Sequence, residues 1–475
     1  MAHLRSHGAD WIGLAAAVVI AIGVRSGSRG GPLALEHADV RHVLLAPVDR
    51  TTAMRGPALR QVRFLVFAGS IVGAIAGVLA THRLPGQGAA WAACGALFGA
   101  TTVALAYGAA LTASGLRLRS WMGTLLALVL VAWAVADAAN AAEGSPTTVL
   151  GRLALWPLHF EVIGLAGIVL AVALCATGWL LVGNVSVEAA ERRSTLVGQL
   201  RFAATLQDIR TVLVLRRQLA MELPRVRPWV RVRVRGTDRF PVWTRGVRSL
   251  LRWPAARASR LVLLGVVAGL ALRGAWAGTT PLVVVAGVAL FIAGLDAVEP
   301  LAQEIDHPTR RNSVPLDAGY VELRHVPAAV ATMVPVCVAG AAAAVLAGPS
   351  TAAVAIAGAC IVPAALGAVA GALVSVIAGA PTQTGGGDAW SLLPPEVAGM
   401  RVVYRAGWPP ALAVIGSLPV LAARTAARNG VGAPPAALAA GAGVVVVFVI
   451  VCGWVRTRDR IHEWWRAQME MAGRG

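Results

Sequence analysis

The side chains able to do acid, base or nucleophilic chemistry are few and scattered. The chain of 475 residues has 42 basic residues, every one an arginine, against 23 acidic ones. With no lysine, a Walker A phosphate loop and Schiff-base chemistry are both excluded. The sequence IHEWW at 461–465 lacks the second histidine of a zinc-binding H-E-x-x-H helix. Cys94, Cys175, Cys337, Cys360 and Cys452 stand apart inside apolar runs, without metal-ligand spacing, and read as small core residues. No nucleophile–base arrangement is evident. The acids and bases that do recur near one another lie in polar stretches between apolar runs. Three are notable: Glu36, Asp49 and Arg50 in the first; Glu304, Asp306 and Asp317 in a later one; Asp208, Arg216, Arg217 and Glu222 in the longest. Within or beside the apolar runs stand Asp137, His159 and Glu161. Such residues line a substrate path or sit among lipid head groups. His159 and Glu161 are two apart and do not share a helix face.

The elements that must position these residues are membrane helices. Hydrophobic residues make up 57% of the chain and charged residues only 14%, far from a soluble domain. Windows of about 20 apolar residues predict eleven spans. They cover 11–24, 63–81, 88–114, 119–140, 154–183, 259–277, 281–296, 326–347, 350–379, 407–423 and 433–455. The first is short enough for a signal-peptide core, but no cleavage-type site follows it. Arginines concentrate in 25–63, at 117 and 119, in 184–258 and in the tail 456–475, all on one side if the spans alternate. The other side holds single arginines, Arg83, Arg152, Arg273, Arg424 and Arg428. The positive-inside tendency then places the C-terminus in the cytoplasm and Met1 outside, and accounts for the net charge of +19 without nucleic-acid binding. Trp11, Trp91, Trp121, Trp156, Trp276, Trp408 and Trp454 fall near span ends, as an interfacial belt would.

The chain repeats itself. PLALE at 32–36 followed by PVD at 47–49 matches PLAQE at 300–304 followed by PLD at 315–317, six identities over eighteen aligned residues. A rival register aligns RHV at 41–43 with RHV at 324–326. The offset of 268 carries spans 63–81 and 88–114 onto later spans, so the expected fold is all-α, about eleven transmembrane helices in a 5+6 parallel duplication. The division is 1–183 (first unit), 184–258 (arginine-rich linker), 259–455 (second unit) and 456–475 (tail). The span at 259–277 has no partner in the first unit, which suggests a helix lost before the first repeat or a start upstream of Met1. In the linker, 186–222 reads as an amphipathic helix ended by Pro224, with Arg216 and Arg217 near its C-terminal part.

The loop LEHADVRHVLLAPVDRTTAMRG within 25–62 resembles the cytoplasmic loop of ATP-binding-cassette exporter permeases of the type-2 exporter superfamily. In that family a glutamate precedes an LL-x-x-P-V-[ST]-R-like run between the second and third helices of a six-helix unit. The matching residues are Glu36, Leu44, Leu45, Pro47, Val48 and Arg50, with Asp49 replacing the commoner Ser or Thr. Through the repeat, Glu304, Asp306, Pro315 and Asp317 of loop 297–325 fill the same role. The run LQDIRTVLVLRRQL at 206–219 is similar to the linker of actinobacterial exporter-permease-like proteins. The resemblance implies a bacterial cytoplasmic-membrane permease of two fused half-permeases. A separate ATPase subunit, in two copies, would drive it by docking on the two loops, and no cofactor is implied. An apolar, aromatic-poor interior suits lipids, peptides or hydrophobic drugs. Two other classes compete. A major-facilitator-type secondary transporter shares the duplication but lacks its G-x-x-x-D-R-x-G-R loop and a clear mid-span acid. A non-transporting scaffold needs no path.

Overall fold

The computed structural model describes residues 2–28, 31–33, 49–82, 84–138, 144–186, 241–306, 316–378 and 407–472. The amphipathic helix expected over 186–222 lies outside them, Ser186 apart. Every regular element among the described residues is helical. The chain divides into two compact units, Met1–Thr205 and Leu206–Gly475.

The first unit contains α1 (Ala2–Gly27), α2 (Arg50–Ala80), α3 (Gly88–Gly115), α4 (Ser120–Ala138), α5 (Thr148–Ala154) and α6 (Gly164–Leu180). The second contains α7 (Pro241–Leu250), α8 (Ala255–Trp276), α9 (Leu282–Ala297), α10 (Glu299–Asp306), α11 (Ala318–Leu323), α12 (Val326–Leu346) and α13 (Thr351–Ala378). It continues with α14 (Gly407–Ser417), α15 (Pro419–Arg428) and α16 (Ala433–Ala472). Eight helices among the described residues are long and apolar enough to cross a membrane; the bent pairs α9–α10 and α14–α15 raise the number to ten. Each of the eleven apolar runs holds a helix. Within 154–183, however, the chain leaves α5, turns, and re-enters as α6, which at 17 residues is shorter than a full span. The first helix is longer than its apolar core suggested, with 20 residues from Gly8 to Gly27 suited to crossing.

The two units share a packing scheme. In the first, α3 is central and packs on α1, α2 and α6, while α1 also packs on α4. In the second, α13 is central and packs on α9, α12 and α16, and Gly287 of α9 lies against Val414 of α14. The offset of 268 carries α2 onto α11 and α12, and α3 onto α13. Helix α8 packs on α9 and α12 and has no counterpart among the described residues of the first unit. The same offset relates Asp49 and Asp317, which stand at the N-cap of α2 and of α11; Asp49 makes side-chain cap bonds and Asp317 makes none. Leu33 and Leu301 are both buried core residues.

Close helix approach rests on small residues, because lipid supplies no hydrophobic drive between helices. Gly69, Gly73 and Gly77 on α2 face Gly99, Gly95 and Trp91 on α3. A Cβ on Gly73 would stand 2.0 Å from the Gly95 carbonyl oxygen. Backbone cannot yield as a flexible side chain can. Gly73→Leu is therefore expected to lower the melting temperature of the detergent-solubilised protein, with a cost of about 3 kcal/mol or more. Gly56→Leu on the same helix, where no atom lies within 4 Å of an added Cβ, is expected to leave it within a degree or two; equal effects would contradict the close-packed α2–α3 seam.

Candidate functional site

One end of the second unit gathers arginines and carboxylates into buried pairs. The gathering begins where the apolar runs stop. Trp253 and Pro254 precede α8, whose first turns present Arg257 and Arg260. Asp296 closes α9, and Glu299 opens α10 across a 58° bend. The Arg257 guanidinium donates to Asp296 Oδ1 at 3.3 Å and to Glu299 Oε2 at 3.4 Å, and stacks 4.2 Å from the Trp253 ring centroid. Arg260 pairs with the other Asp296 oxygen. Gln303 donates to Glu299 Oε1 one turn along α10. Arg257, Asp296 and Glu299 are all buried. Glu299 also sits in the first turn of α10, where the helix dipole favours an anion.

Two more links tie neighbouring helices to this end. Arg245 of α7 donates to Glu304 Oε2 of α10 at 2.9 Å. Buried His325, just before α12, lies within electrostatic reach of both. Arg458 of α16 donates to Glu322 Oε1 of α11 at 2.7 Å, with Glu322 only 1% exposed. Beside it Arg456 pairs with Asp317 at 3.4 Å and stacks over Tyr320, which also faces Arg324. Burying a charge is costly unless it is paired and hydrogen-bonded. Each pair thus holds two helices in one relative position.

The sequence-based candidates fall unevenly on this geometry. Asp49 and Arg50 are exposed at the start of α2. Asp49 accepts from the Thr52 hydroxyl and from the amides of Thr52 and Thr51. These bonds, the Thr52 hydroxyl first, hold its carboxyl below the ordinary 3.8. The cap is therefore in place at neutral pH and weakens as pH falls through that lowered value. Asp317 is exposed but engaged with Arg456, and Asp306 is half-buried at the end of α10. Glu304 is not a surface residue: it is 5% exposed and spoken for by Arg245. Glu36, Leu44, Leu45, Pro47, Pro315, Asp208, Arg216, Arg217 and Glu222 lie outside the described residues.

In the first unit His159 and Glu161 are exposed, in the turn between α5 and α6. Arg152 donates to Glu161 Oε2 at 3.1 Å, and Trp156 donates to the Glu161 carbonyl at 2.9 Å. That is the polar, aromatic-rimmed environment of a head-group region. Asp137 is buried and accepts from the Ser145 amide at 3.0 Å and the Thr148 hydroxyl at 2.5 Å, anchoring the chain that returns into α5. Sequence reasoning missed Arg257, Asp296, Arg245, Glu322 and Arg458. Asp296 carried a usable signal, an acid as the last residue of an apolar run. The partners of Glu322 and Glu304 are 136 and 59 residues away in sequence, beyond any local pattern.

Nothing in the network pairs a nucleophile with a base. Among the described residues, no group of three or more His, Cys, Asp or Glu could hold a metal ion. The pairs link α7 to α10, α8 to α9 and α10, and α11 to α16. Removing one charge leaves its partner buried and unpaired. Glu322→Ala and Arg458→Met are each expected to destabilise the protein by about 3–5 kcal/mol, while the double variant regains much of that loss. Thermal unfolding of all four proteins in one detergent measures the coupling, and simple additivity would contradict the pairing. Comparison of the chain with protein-family models, with curated proteins and with solved structures finds no match in any of the three.

Proposed function

We propose that the chain is the transmembrane subunit of an ATP-binding-cassette-type exporter in a bacterial cytoplasmic membrane, with its C-terminal tail in the cytoplasm. A separate ATPase, in two copies, docks on loops 25–62 and 297–325. The observation that carries this reading is the repeated Pro-x-Asp start of α2 and α11. Two like loops enter equivalent helices of two like-packed units, as two copies of one motor domain require. The arginines of loop 25–62, of 184–258 and of the tail support the orientation. The count of eleven spans, five and six, belongs to this reading, with α6 as the short last helix of the first unit.

Within it the exposed residues and the buried network have different roles. Asp49, Arg50, Asp306 and Asp317 face the partner. Glu304 works from inside, holding α10 to α7 through Arg245. A push on loop 297–325 reaches α10 first, then α8 and α9 through Glu299, Arg257 and Asp296. Loop movement is thereby converted into a shift of membrane helices without a chemical step in this chain.

The test is co-purification of the detergent-solubilised protein followed by an ATPase assay. The expected result is an ATP-binding-cassette protein in the eluate, reduced about tenfold or more in Arg50→Glu combined with Asp317→Arg. Arg257→Met is expected to keep the partner while losing the stimulation of hydrolysis by reconstituted protein. A well-folded preparation with no nucleotide-hydrolysing partner would overturn the proposal and favour secondary transport or a scaffold.

A further inference from the structure

The half of the second unit remote from the charge network contains an apolar slot. Its walls are α8 (Gly265, Gly269, Arg273, Trp276), α12 and α13, and its volume is about 80 Å³. On α8 the lining positions run from Gly265 to Trp276, a length of about 16 Å at the helical rise. This is close to half of the roughly 30 Å hydrocarbon core of a bilayer, the depth of one leaflet. A slot of that length, lined mostly by Gly, Ala, Leu and Ile, suits an acyl tail.

The mouth of the slot is cationic. Arg273 lines it with its guanidinium laid over the backbone of Gly348, so close that a Cβ there would stand 2.1 Å from the terminal nitrogen. Arg424 comes within 3.4 Å of a Cβ placed on Gly278, in the turn just after Trp276. The turns 277–281, 347–350 and 429–432 at this end contain no Asp or Glu. Neither arginine has an ion-pair or hydrogen-bond partner among the described residues. At the other end of this unit Arg245, Arg257, Arg260, Arg456 and Arg458 are matched with carboxylates; here two arginines are left for a ligand.

The structure assigns this slot to an anionic phospholipid of the leaflet remote from the charge network, with its phosphate on Arg273 and Arg424 and one acyl chain between α8, α12 and α13. A zwitterionic lipid fits less well, because its ammonium group would face two guanidinium groups with no carboxylate to receive it. Trp276 closes the head-group end, where an indole favours the interface. The assignment rests on the membrane-spanning reading of the second unit and not on its being an exporter.

Trp276 also provides the readout. The full-length protein and its Trp276→Phe variant would be placed in a series of nanodiscs with a rising fraction of lipid with brominated acyl chains, either phosphatidylglycerol or phosphatidylcholine. The difference in tryptophan quenching between the two proteins isolates the signal from the slot. Half-quenching of that signal is expected at a phosphatidylglycerol fraction about fivefold lower than for phosphatidylcholine, the worth of one arginine near an anionic surface. Arg273→Gln is expected to erase the preference and Arg273→Lys to keep most of it. Ala357→Phe, which fills the slot from α13, is expected to abolish the slot signal for both lipids, with an unchanged melting temperature as the check on folding. Equal half-quenching for the two lipids, or a preference that survives Arg273→Gln, would overturn the assignment.

Discussion

Arg257 is caught between Asp296, Glu299 and the face of Trp253. Around it α8, α9 and α10 take their relative positions. A guanidinium withdrawn from water must find carboxylates in good geometry or carry a penalty of several kcal/mol. Because the two carboxylates lie on either side of the 58° bend, satisfying one cation also sets how α10 leaves α9. The same requirement, met by Glu322 with Arg458 and by Glu304 with Arg245, secures α11 to α16 and α7 to α10. Beyond this end the helices are held by close contact between small residues, which sets distance but resists sliding less than a paired charge does.

The two ends of the second unit therefore use arginine in opposite ways. At one end Arg245, Arg257, Arg260, Arg456 and Arg458 are consumed by the fold, each matched to a carboxylate from another part of the chain. At the other, Arg273 and Arg424 flank an apolar slot with no carboxylate near them. The first arrangement ties helices to one another through paired charges. The second leaves charge available to something outside the chain. The first unit solves the same problem with fewer acids: Arg55 stacks 4.5 Å from the Trp179 ring, and Arg117 donates to the Asn184 carbonyl at 3.0 Å. The units share a helix scheme while differing in how that scheme is locked.

Much of the fold was legible because membrane helices obey a one-dimensional rule. A run of apolar residues long enough to cross is helical, since lipid offers no partner to an unpaired backbone group. The start of α2 was legible for a related reason: Asp49 caps it through the amides and hydroxyl of the next three residues, while Asp317 stands at the start of α11 without such a bond. The candidate site was legible only in part. Glu304 looked like a loop residue because its neighbours are polar, but its partner Arg245 comes from another helix and turns it inward. For His159 and Glu161 the sequence left a substrate path and a head-group position both open, and the turn after α5 places them at the surface.

The sequence by itself determined the all-helical class, where the apolar runs lie and the absence of lysine, because each depends on composition or on neighbours a few residues apart. Only the tertiary structure decided which arginine meets which carboxylate, that 154–183 breaks into a turn and a short helix, and that two arginines stand unmatched beside an apolar slot. Those outcomes depend on side chains brought together from distant parts of the chain. The energy that selects among them, desolvation set against pairing, exists only once the helices have packed.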